Sequence, residues 1–319
     1  MKRNSHSDCS ESLWHKLLKD PLSLISICLI GLFAFCAVFA YLICPDSTPY
    51  ANEQHLEIAV KKPGFKVSML QTPNADTPKV NLFERILFGK PSQHISQPIY
   101  RTWKQGDKQM FELYTGDNPN CGEVISLPYG SDYRIVQRTY LLGTDRYGRD
   151  MLSQLIVGTR ISLSVGLISV LIAIFIGVSL GAVAGYYGGK ADNIIMWLIN
   201  VVWSVPTVLL VVAITFALGK GFWQVFVAVG LTMWVDIARM VRGQVKSLKE
   251  KEFVEASKAI GQSNFKIITR QILPNVVGAI SVITASNFAT AILQEAGLSF
   301  LGLGVQPPMP SWGSMIKEN

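Results

Sequence analysis

Ile161 to Tyr187 reads ISLSVGLISVLIAIFIGVSLGAVAGYY and contains no charged side chain. A helix rises about 1.5 Å per residue, so a run of this length exceeds the roughly 30 Å hydrocarbon core of a bilayer. The run therefore predicts a helix that spans a membrane.

Other apolar runs flank this one on both sides. They are Leu22–Cys44, Ile194–Leu218 with Pro206 inside it, Phe222–Val235, and Val276 to Leu303. We expect the short run Phe222–Val235 to continue as helix through Asp236 and Arg239 into water. Counting all the runs, the sequence predicts five spans.

The composition agrees with a membrane protein. Of the 319 residues, 49% are hydrophobic and 16% are charged, whereas a soluble globular chain carries about 25% charged residues. The formal net charge of +7 does not predict nucleic-acid binding, because the basic residues fall beside the apolar runs.

The first run, Leu22–Cys44, could instead be a cleaved signal peptide. Signal peptides have an apolar region of about 7–15 residues and a small-residue cleavage site. This run is longer, and Tyr41-Leu42-Ile43-Cys44 lacks such a site. The sequence favours a retained anchor.

The distribution of basic residues predicts the orientation of the spans. The segment from Asp236 to Pro274 holds eight basic and four acidic residues, and short loops rich in Lys and Arg stay in the cytoplasm. Counting back through four crossings also places the N-terminus in the cytoplasm. Residues 1–21 are then a cytoplasmic segment that contains Lys2, Arg3, Lys16 and Lys19.

The long segment 45–159 is predicted to lie outside the cytoplasm. Ile99–Trp103 and Gln109–Tyr114 alternate between apolar and polar residues, as half-buried strands do. The pattern predicts a small β-rich insert, and the alternative is a decorated loop. A disulfide between Cys44 and Cys121 remains open at this point.

Small residues recur every four positions in the second span and predict close helix packing. They are Ala173, Gly177, Gly181 and Gly185. Pro206 predicts an interruption of the third span, either near a transport path or as a structural kink.

Polar residues interrupt the last apolar run. Glu295 is an acid inside that run, and Asn287 and Gln294 are nearby. Ionisable residues inside a membrane are costly and mark candidate functional sites. The alternatives are a role in the transport pathway and a structural pairing near the membrane surface.

The basic loop contains the sequence Glu255-Ala256-Ser257-Lys258-Ala259-Ile260-Gly261, with Leu273-Pro274 further on. The first part predicts a short helix, and Gly261 permits a tight turn after it. Apolar Phe265, Ile267 and Ile268 are expected to face a partner, and Pro274 is expected to break the pattern before the last span. The alternative is an ordinary amphipathic loop.

This loop resembles the EAA loop of ABC importer permeases, although Ser257 and Gln271 depart from the usual pattern. Further matching motifs are LGTDRYGRD at 142–150, GYYGG at 185–189, ARMVRGQV at 238–245, AILQEAGLSFLGLG at 291–304 and QPPMPSWG at 306–313. Together they are similar to the second, C-type permease subunit of the dipeptide/oligopeptide/nickel family.

The resemblance implies a fold, a location and partners. The fold is an all-α polytopic membrane protein, the transmembrane domain of a type I ABC importer, here with a small extracytoplasmic β-rich insert. The chain would divide into 1–21, a first transmembrane helix 22–44, the insert 45–159, and a permease core 160–319 with its cytoplasmic EAA-type loop 236–275. The location is the bacterial inner membrane.

The implied function is import of di- or oligopeptides as half of the translocation pathway. The partners are the lipid bilayer, a homologous second permease, two ATPase subunits docked on Glu255, Ala256, Ser257, Gly261, Leu273 and Pro274, and an extracytoplasmic substrate-binding protein. That protein is expected to touch the insert or the 142–150 segment. The family has six spans and a cytoplasmic C-terminus, so we expect this sequence to be truncated before a sixth helix.

The sequence shows no site for chemistry. No P-loop pattern occurs, so ATP and Mg²⁺ are expected on partner subunits and not on this chain. The four histidines are scattered, and no catalytic or metal-binding pattern is found. Two alternatives remain, a permease that imports nickel ions and a membrane-anchored scaffold that presents the insert.

Overall fold

The computed structural model describes residues 19–74, 80–116, 118–128, 130–219 and 221–318. Residues 1–18 of the predicted cytoplasmic segment, with Lys2, Arg3 and Lys16, lie outside this description. The helices are α1 (Pro21–Val38), α2 (Ala40–Ile43), α3 (Leu82–Phe88), α4 (Met151–Tyr187), α5 (Gly189–Trp203), α6 (Thr207–Leu218), α7 (Phe222–Lys249), α8 (Glu252–Ala259), α9 (Asn264–Ile267), α10 (Leu273–Phe300) and α11 (Trp312–Glu318).

The described helices include enough long apolar segments for a multi-pass membrane protein. Four are long and apolar enough to cross a membrane: α1, α4, α7 and the continuous segment Asn264–Phe300. The α5–α6 pair brings the number to five if the bent pair counts as one span. The five predicted runs all correspond to these helices.

The first span is shorter than the predicted Leu22–Cys44. Asp20 caps α1 by accepting a hydrogen bond from the Ser23 amide at 3.1 Å, and Pro21 occupies the first turn, where its missing N–H costs nothing. Phe39 then leaves the helical conformation and separates α1 from α2.

The second span begins ten residues before the predicted start of its apolar run at Ile161. Asp150 caps α4 by accepting a hydrogen bond from the Ser153 amide at 3.0 Å. The first turns are polar, and Ser153 and Gln154 are buried. An apolar-run criterion cannot find such a start, because the cap and not the hydrophobicity begins the helix.

The third span is broken at Pro206. The axes of α5 and α6 differ by 92°, which is a much larger change than a kink. Pro206 is the residue that precedes α6, and its φ of −53° suits a helix start. Irregular backbone at membrane depth is tolerated where protein or a water-filled cavity covers it.

Pro274 does not break the chain before the last span, contrary to the prediction. The helix runs without interruption from Asn264, through a π-helical turn at Ile268–Ile272, into α10. A π turn shifts hydrogen bonding to i→i+5, and such insertions are frequent at functional sites. This π turn lies just before Pro274, which supplies no N–H for a helical hydrogen bond. Helix α10 begins at Leu273 and ends at Phe300, whereas the predicted apolar run extends from Val276 to Leu303.

The insert contains an antiparallel sheet in the order β4-β3-β2-β1-β5, which confirms the predicted strands. The strands are β1 (Phe65–Pro73), β2 (His94–Gln105), β3 (Lys108–Leu113), β4 (Val124–Pro128) and β5 (Arg134–Tyr140). In the register, Met69 of β1 lies opposite Pro98 of β2 and Val136 of β5. The alternative of a decorated loop is wrong for this part of the chain.

The pairing of Cys44 with Cys121 that the sequence left open does not occur. Cys44 is buried and Cys121 is exposed, and both are free. The Cys44 thiol instead donates to the Asp46 carbonyl at 2.8 Å.

A buried ionic cluster joins the insert to the membrane helices. Arg149 Nε donates to Asp145 Oδ2 at 2.7 Å, and its two Nη atoms donate to Glu318 Oε2 at 2.8 Å and to Asn52 Oδ1 at 3.3 Å. The 142–150 segment therefore links the insert to α4 and to α11. The paired side chains of Asp145 and Arg149 are buried. A substrate-binding protein at this segment would therefore contact exposed Leu142 and Arg146.

A second ion pair holds the loop after α2 against the sheet. Arg138 Nη1 on β5 donates to Glu53 Oε2 at 2.6 Å, and His55 Nε2 lies 3.4 Å from Glu53 Oε1. Burial alone would raise the pKa of Glu53. The nearby His55 imidazole and the charge and hydrogen bond of Arg138 outweigh burial and lower this pKa to about 2 from its ordinary 4.5.

Acidification is expected to destabilise the insert through this pair. Because the folded pKa of Glu53 is depressed, its stabilisation is complete above pH 4.5 and is lost as the pH falls toward 2. The shift corresponds to stabilisation on the order of 3 kcal/mol at neutral pH. Thermal unfolding of the purified protein, followed by near-ultraviolet circular dichroism at a series of pH values, measures the loss.

The Glu53→Gln variant is the control, since it cannot titrate at this position. Burial raises the pKa of Asp46, which acts in the opposite sense, and this burial is common to both proteins. The wild type should lose more stability than the variant on acidification. An identical pH dependence in the two proteins would contradict the assignment.

Candidate functional site

The long helices α4 and α7 pack with almost no space between them. A Cβ atom placed on Gly177 would lie 2.8 Å from the Trp234 carbonyl oxygen, and one on Gly185 would lie 2.7 Å from the Arg242 carbonyl oxygen. For Gly181 the distance to the Ala238 carbonyl oxygen would be 2.5 Å. The structure thus places the predicted small-residue stripe, with buried Ala173, at the α4–α7 contact.

A salt bridge ties α5 to α7. Arg242 contacts Asp192 with two nitrogens, Nε to Oδ1 and Nη2 to Oδ2, the latter at 2.7 Å. Two parallel bonds fix the orientation of both groups better than a single contact. Helices α4, α5 and α7 therefore form one connected unit, and the basic loop leaves it at Lys249.

The predicted docking helix is present as α8, and Gly261 ends it. The Gln262 amide donates to the Ser257 carbonyl at 3.1 Å, and the Gly261 amide donates to the Lys258 carbonyl at 2.9 Å. These two bonds form a Schellman motif, in which the residue after the cap adopts a left-handed conformation. Gly261 has φ of +81°, which glycine adopts without strain.

The Schellman turn exposes two apolar side chains. Ile260 is 79% exposed and Phe265 is 76% exposed. Ile267 and Ile268, which were predicted to face a partner, are instead buried in the chain's own core at 0% and 8% exposure. A helix can direct only one of its faces outward, and the face with Ile267 and Ile268 packs inward.

The other residues of the predicted docking set divide in the same way. Glu255, Ala256 and Pro274 are exposed. Ser257 is buried, and its hydroxyl donates to the Phe253 carbonyl at 2.8 Å. Leu273 is half-buried at the start of α10.

Tyr186 links this loop to α4, and sequence reasoning missed its role. Its hydroxyl donates to Asn264 Oδ1 at 2.8 Å. The Lys249 ammonium lies 5.7 Å from its ring centroid, and that of Lys258 lies 5.9 Å from it. The signal was the double tyrosine at the end of a span, where a phenol can reach polar groups.

The three polar residues of the last span do not share one environment. Asn287 and Gln294 line a cleft between α10, α7 and the broken span. Glu295 is fully buried and points elsewhere: Ser299 Oγ donates to its Oε1 at 2.6 Å, and Ser299 lies beside Ser311 of the C-terminal segment. In the described part of the chain its Oε2 has no hydrogen-bond partner.

A metal site would need several suitable side chains close together. Among the described residues, no group of three or more His, Cys, Asp or Glu side chains could hold a metal ion.

Comparisons with known proteins show what the chain is similar to. Residues 173–319 match the family described as "Binding-protein-dependent transport system inner membrane component". The chain is 46% identical over 240 residues to the dipeptide transport system permease protein DppC of Bacillus subtilis, covering 72% of this chain and 75% of that relative. It is 44% identical over 177 residues to the glutathione transport system permease protein GsiD of Pectobacterium atrosepticum, covering 56% of this chain.

The alignment to that glutathione permease spans 59% of the relative's length. Among solved structures, the chain has a TM-score of 0.44 and 20% identity to an inward-facing conformation of the MetNI methionine ABC transporter. That match covers 52% of this chain and 79% of the other.

These long packed helices and the basic loop define a polytopic membrane permease. The chain belongs to the family of binding-protein-dependent transport system inner membrane components, the permeases of ABC importers, and within it to the group that contains the peptide permeases.

Proposed function

We propose that this chain is one of two permease subunits of an ATP-driven importer of di- or oligopeptides. It forms half of the translocation pathway, and ATP is hydrolysed on separate subunits. Its relatives include dipeptide, oligopeptide and glutathione permeases, which supports peptides as cargo. The location is the bacterial inner membrane, with the N-terminus in the cytoplasm and the insert outside.

The observation that carries the proposal is the geometry of α8 and its Schellman turn. Two large apolar side chains, Ile260 and Phe265, extend from a polar surface next to exposed Glu255. Large apolar groups surrounded by polar ones are typical of a site that binds another protein. We assign this surface, together with Ala256 and Pro274, to the ATPase subunit.

Connectivity supports a mechanical role for this surface. The loop begins at the end of α7 and continues into α10, and both helices pack on α4. A force on α8 therefore acts on the core helices at two points. Closure of two ATPase subunits moves the docking surfaces and shifts the permease pair between inward- and outward-facing states, to the extent that ATP binds those states with different affinity.

Uptake by vesicles tests the proposal. The vesicles contain this chain, its partner permease, the two ATPase subunits and the binding protein, and labelled peptides and nickel ions are offered side by side. ATP-dependent accumulation of peptide is the expected result. Accumulation of nickel alone would replace the cargo while keeping the architecture, and no accumulation by an assembled complex would favour the scaffold alternative.

Removing the Tyr186 hydroxyl is expected to weaken coupling between the ATPase and the spans. Tyr186→Phe keeps the ring under the lysines and deletes the bond to Asn264. One such bond contributes about 0.5–1.5 kcal/mol, so ATP hydrolysed per peptide imported should rise roughly two- to ten-fold. The measurement is the ratio of ATPase activity to uptake in the same vesicles.

Tyr187→Phe is the matched control, because Tyr187 is the adjacent, exposed phenol with its ring against that of Tyr186. Its ratio should stay at the wild-type value. Equal ratios for Tyr186→Phe and wild type would rule out the coupling role.

A further inference from the structure

Two clefts meet along one face of α10. A cleft of about 210 Å³ lies between the broken span, α7 and α10. A second cleft, of about 330 Å³, lies between α6 and α10 and is lined mainly by apolar side chains. Thr290 and Gln294 line both clefts, so the two adjoin there, and together they are called the groove.

The groove follows a single stripe of the helix. The residues that line it include Asn287, Thr290, Gln294 and Leu298 of α10 and Leu301, the cap that directly follows the helix, a spacing of three and four that keeps them on one face. From Asn287 to Leu301 the stripe rises about 20 Å, which is two thirds of a hydrocarbon core of roughly 30 Å.

The first cleft is polar and opens at one end toward exposed Asp236, where α7 is expected to leave the membrane. Thr207, Thr232, Asp236, Asn287, Thr290 and Gln294 line it. Such groups face protein or a water-filled cavity and not lipid. The break at Pro206 borders the same cleft through Trp203 and Thr207, and irregular backbone is tolerated there for the same reason.

Three hydrogen-bond donors of this cleft are already engaged within the chain. Thr232 Oγ1 donates to the Val229 carbonyl at 2.8 Å and Thr290 Oγ1 donates to the Ser286 carbonyl at 3.1 Å. Asn287 Nδ2 donates to the Met233 carbonyl at 3.5 Å. The lone pairs of the two hydroxyl oxygens and of the Asn287 amide oxygen remain as acceptors.

Two further acceptors have no partner. Gln294 Oε1 is buried without a hydrogen bond in the described part of the chain. Asp236 is exposed and makes no salt bridge with any described residue, and none of the described residues that line the cleft is cationic. Arg239, one turn further along α7, lies 3.6 Å from the Trp203 ring centroid and donates to Asn200 Oδ1 at 3.4 Å.

These hydrogen-bond acceptors and the Asp236 carboxylate complement a ligand that offers N–H donors and a positive charge. We infer that this cleft is a contact site for peptide cargo inside the permease, where Asp236 binds the free amino terminus and Thr290 and Gln294 accept main-chain N–H groups. The inference rests on the proposed function. The adjoining apolar cleft would hold cargo side chains, and main-chain recognition leaves their identity open.

Photocrosslinking tests which molecule occupies the groove. A photoreactive residue replaces Thr290 or, as a matched control, Ala289, which lies on another face of the same turn. In vesicles with the complete complex and radiolabelled trialanine, position 290 should yield a peptide adduct about ten-fold above position 289, and only with ATP and binding protein present. An adduct to the second permease without cargo, or adducts to lipid only, would overturn the inference.

The charge of Asp236 is tested separately, because the photoreactive residue is bulky. Asp236→Asn should lower trialanine uptake about ten-fold or more, as expected for a lost hydrogen bond to a charged group, while ATPase stimulation by the binding protein persists. Asp236→Glu should restore most of the uptake. Wild-type uptake by Asp236→Asn, or failure of both variants with loss of ATPase stimulation, would contradict the role.

Failure of the proposed function and failure of the cargo site alone give different results. Wild-type vesicles that accumulate no peptide contradict the proposed function itself. Normal wild-type uptake with no peptide adduct at position 290 contradicts the cargo site alone.

Discussion

Replacement of Gly181 by alanine is expected to destabilise the protein, and replacement by leucine should prevent accumulation of folded protein. A Cβ at this position would lie 2.5 Å from the Ala238 carbonyl oxygen and 2.9 Å from Val241 Cβ. The nearest atom is backbone and cannot rotate away, so α4 and α7 would have to separate. Overpacking of this kind costs about 1–3 kcal/mol for small additions and more for large ones.

Gly243→Ala provides the matched control, because Gly243 is an exposed glycine of α7, and a Cβ added there would meet no atom within 4 Å. The same change there should stabilise the helix by about 0.5–1 kcal/mol. The measurement is the melting temperature and the monodisperse fraction after detergent extraction. Two Gly→Ala changes of opposite sign are expected, and a loss at Gly243 equal to that at Gly181 would contradict the packing argument.

The close packing of α4 and α7 was only half visible in the sequence. The four-residue spacing of Gly177, Gly181 and Gly185 predicts that some helix approaches closely, but it does not identify that helix. The complementary signal is Ile237, which packs on Gly177, together with Val241 on Gly181. Both lie in a helix whose polar half resembles a cytoplasmic loop, so hydropathy alone hides the match.

The sequence also does not show which way each polar residue of α10 faces. Gln294 and Glu295 are neighbours in sequence, but successive residues in a helix point about 100° apart. One lines the cleft and the other is buried beside Ser299. An acid inside a membrane segment is the usual candidate for a functional residue, whereas here its uncharged neighbour Gln294 lines the groove. Only the packing of α10 decides which side of the helix is which.

Packing also decides which residues of the docking loop are exposed and whether its helix continues past Pro274. Phe265, Ile267 and Ile268 are equally apolar, and composition cannot show that only Phe265 is exposed. Pro274 was expected to break the chain because proline lacks an N–H. The π turn that precedes it depends on the continuation of the helix on both sides. The short helix and its glycine turn follow local rules and were predicted from sequence.

Gly261→Asp is expected to separate ATP hydrolysis from uptake while the protein stays folded in the membrane. The backbone at this position has φ of +81°, and an added Cβ would meet no atom within 4 Å. Asp is among the residues that tolerate this conformation best, so the fold should persist. The new carboxylate joins Glu255 on the surface assigned to the ATPase. An uncompensated charge in a protein interface costs several kcal/mol.

Gly261→Asn separates charge from strain, because asparagine has the same shape and the same tolerance of a positive φ. Uptake by Gly261→Asp should fall about ten-fold or more below that of Gly261→Asn, with ATPase activity retained in both. Equal losses in the two variants would mean that the turn conformation, and not the surface, transmits the motion. Uptake at the wild-type level by Gly261→Asp would show that α8 does not dock on the ATPase, because a new charge in a closed interface would lower uptake.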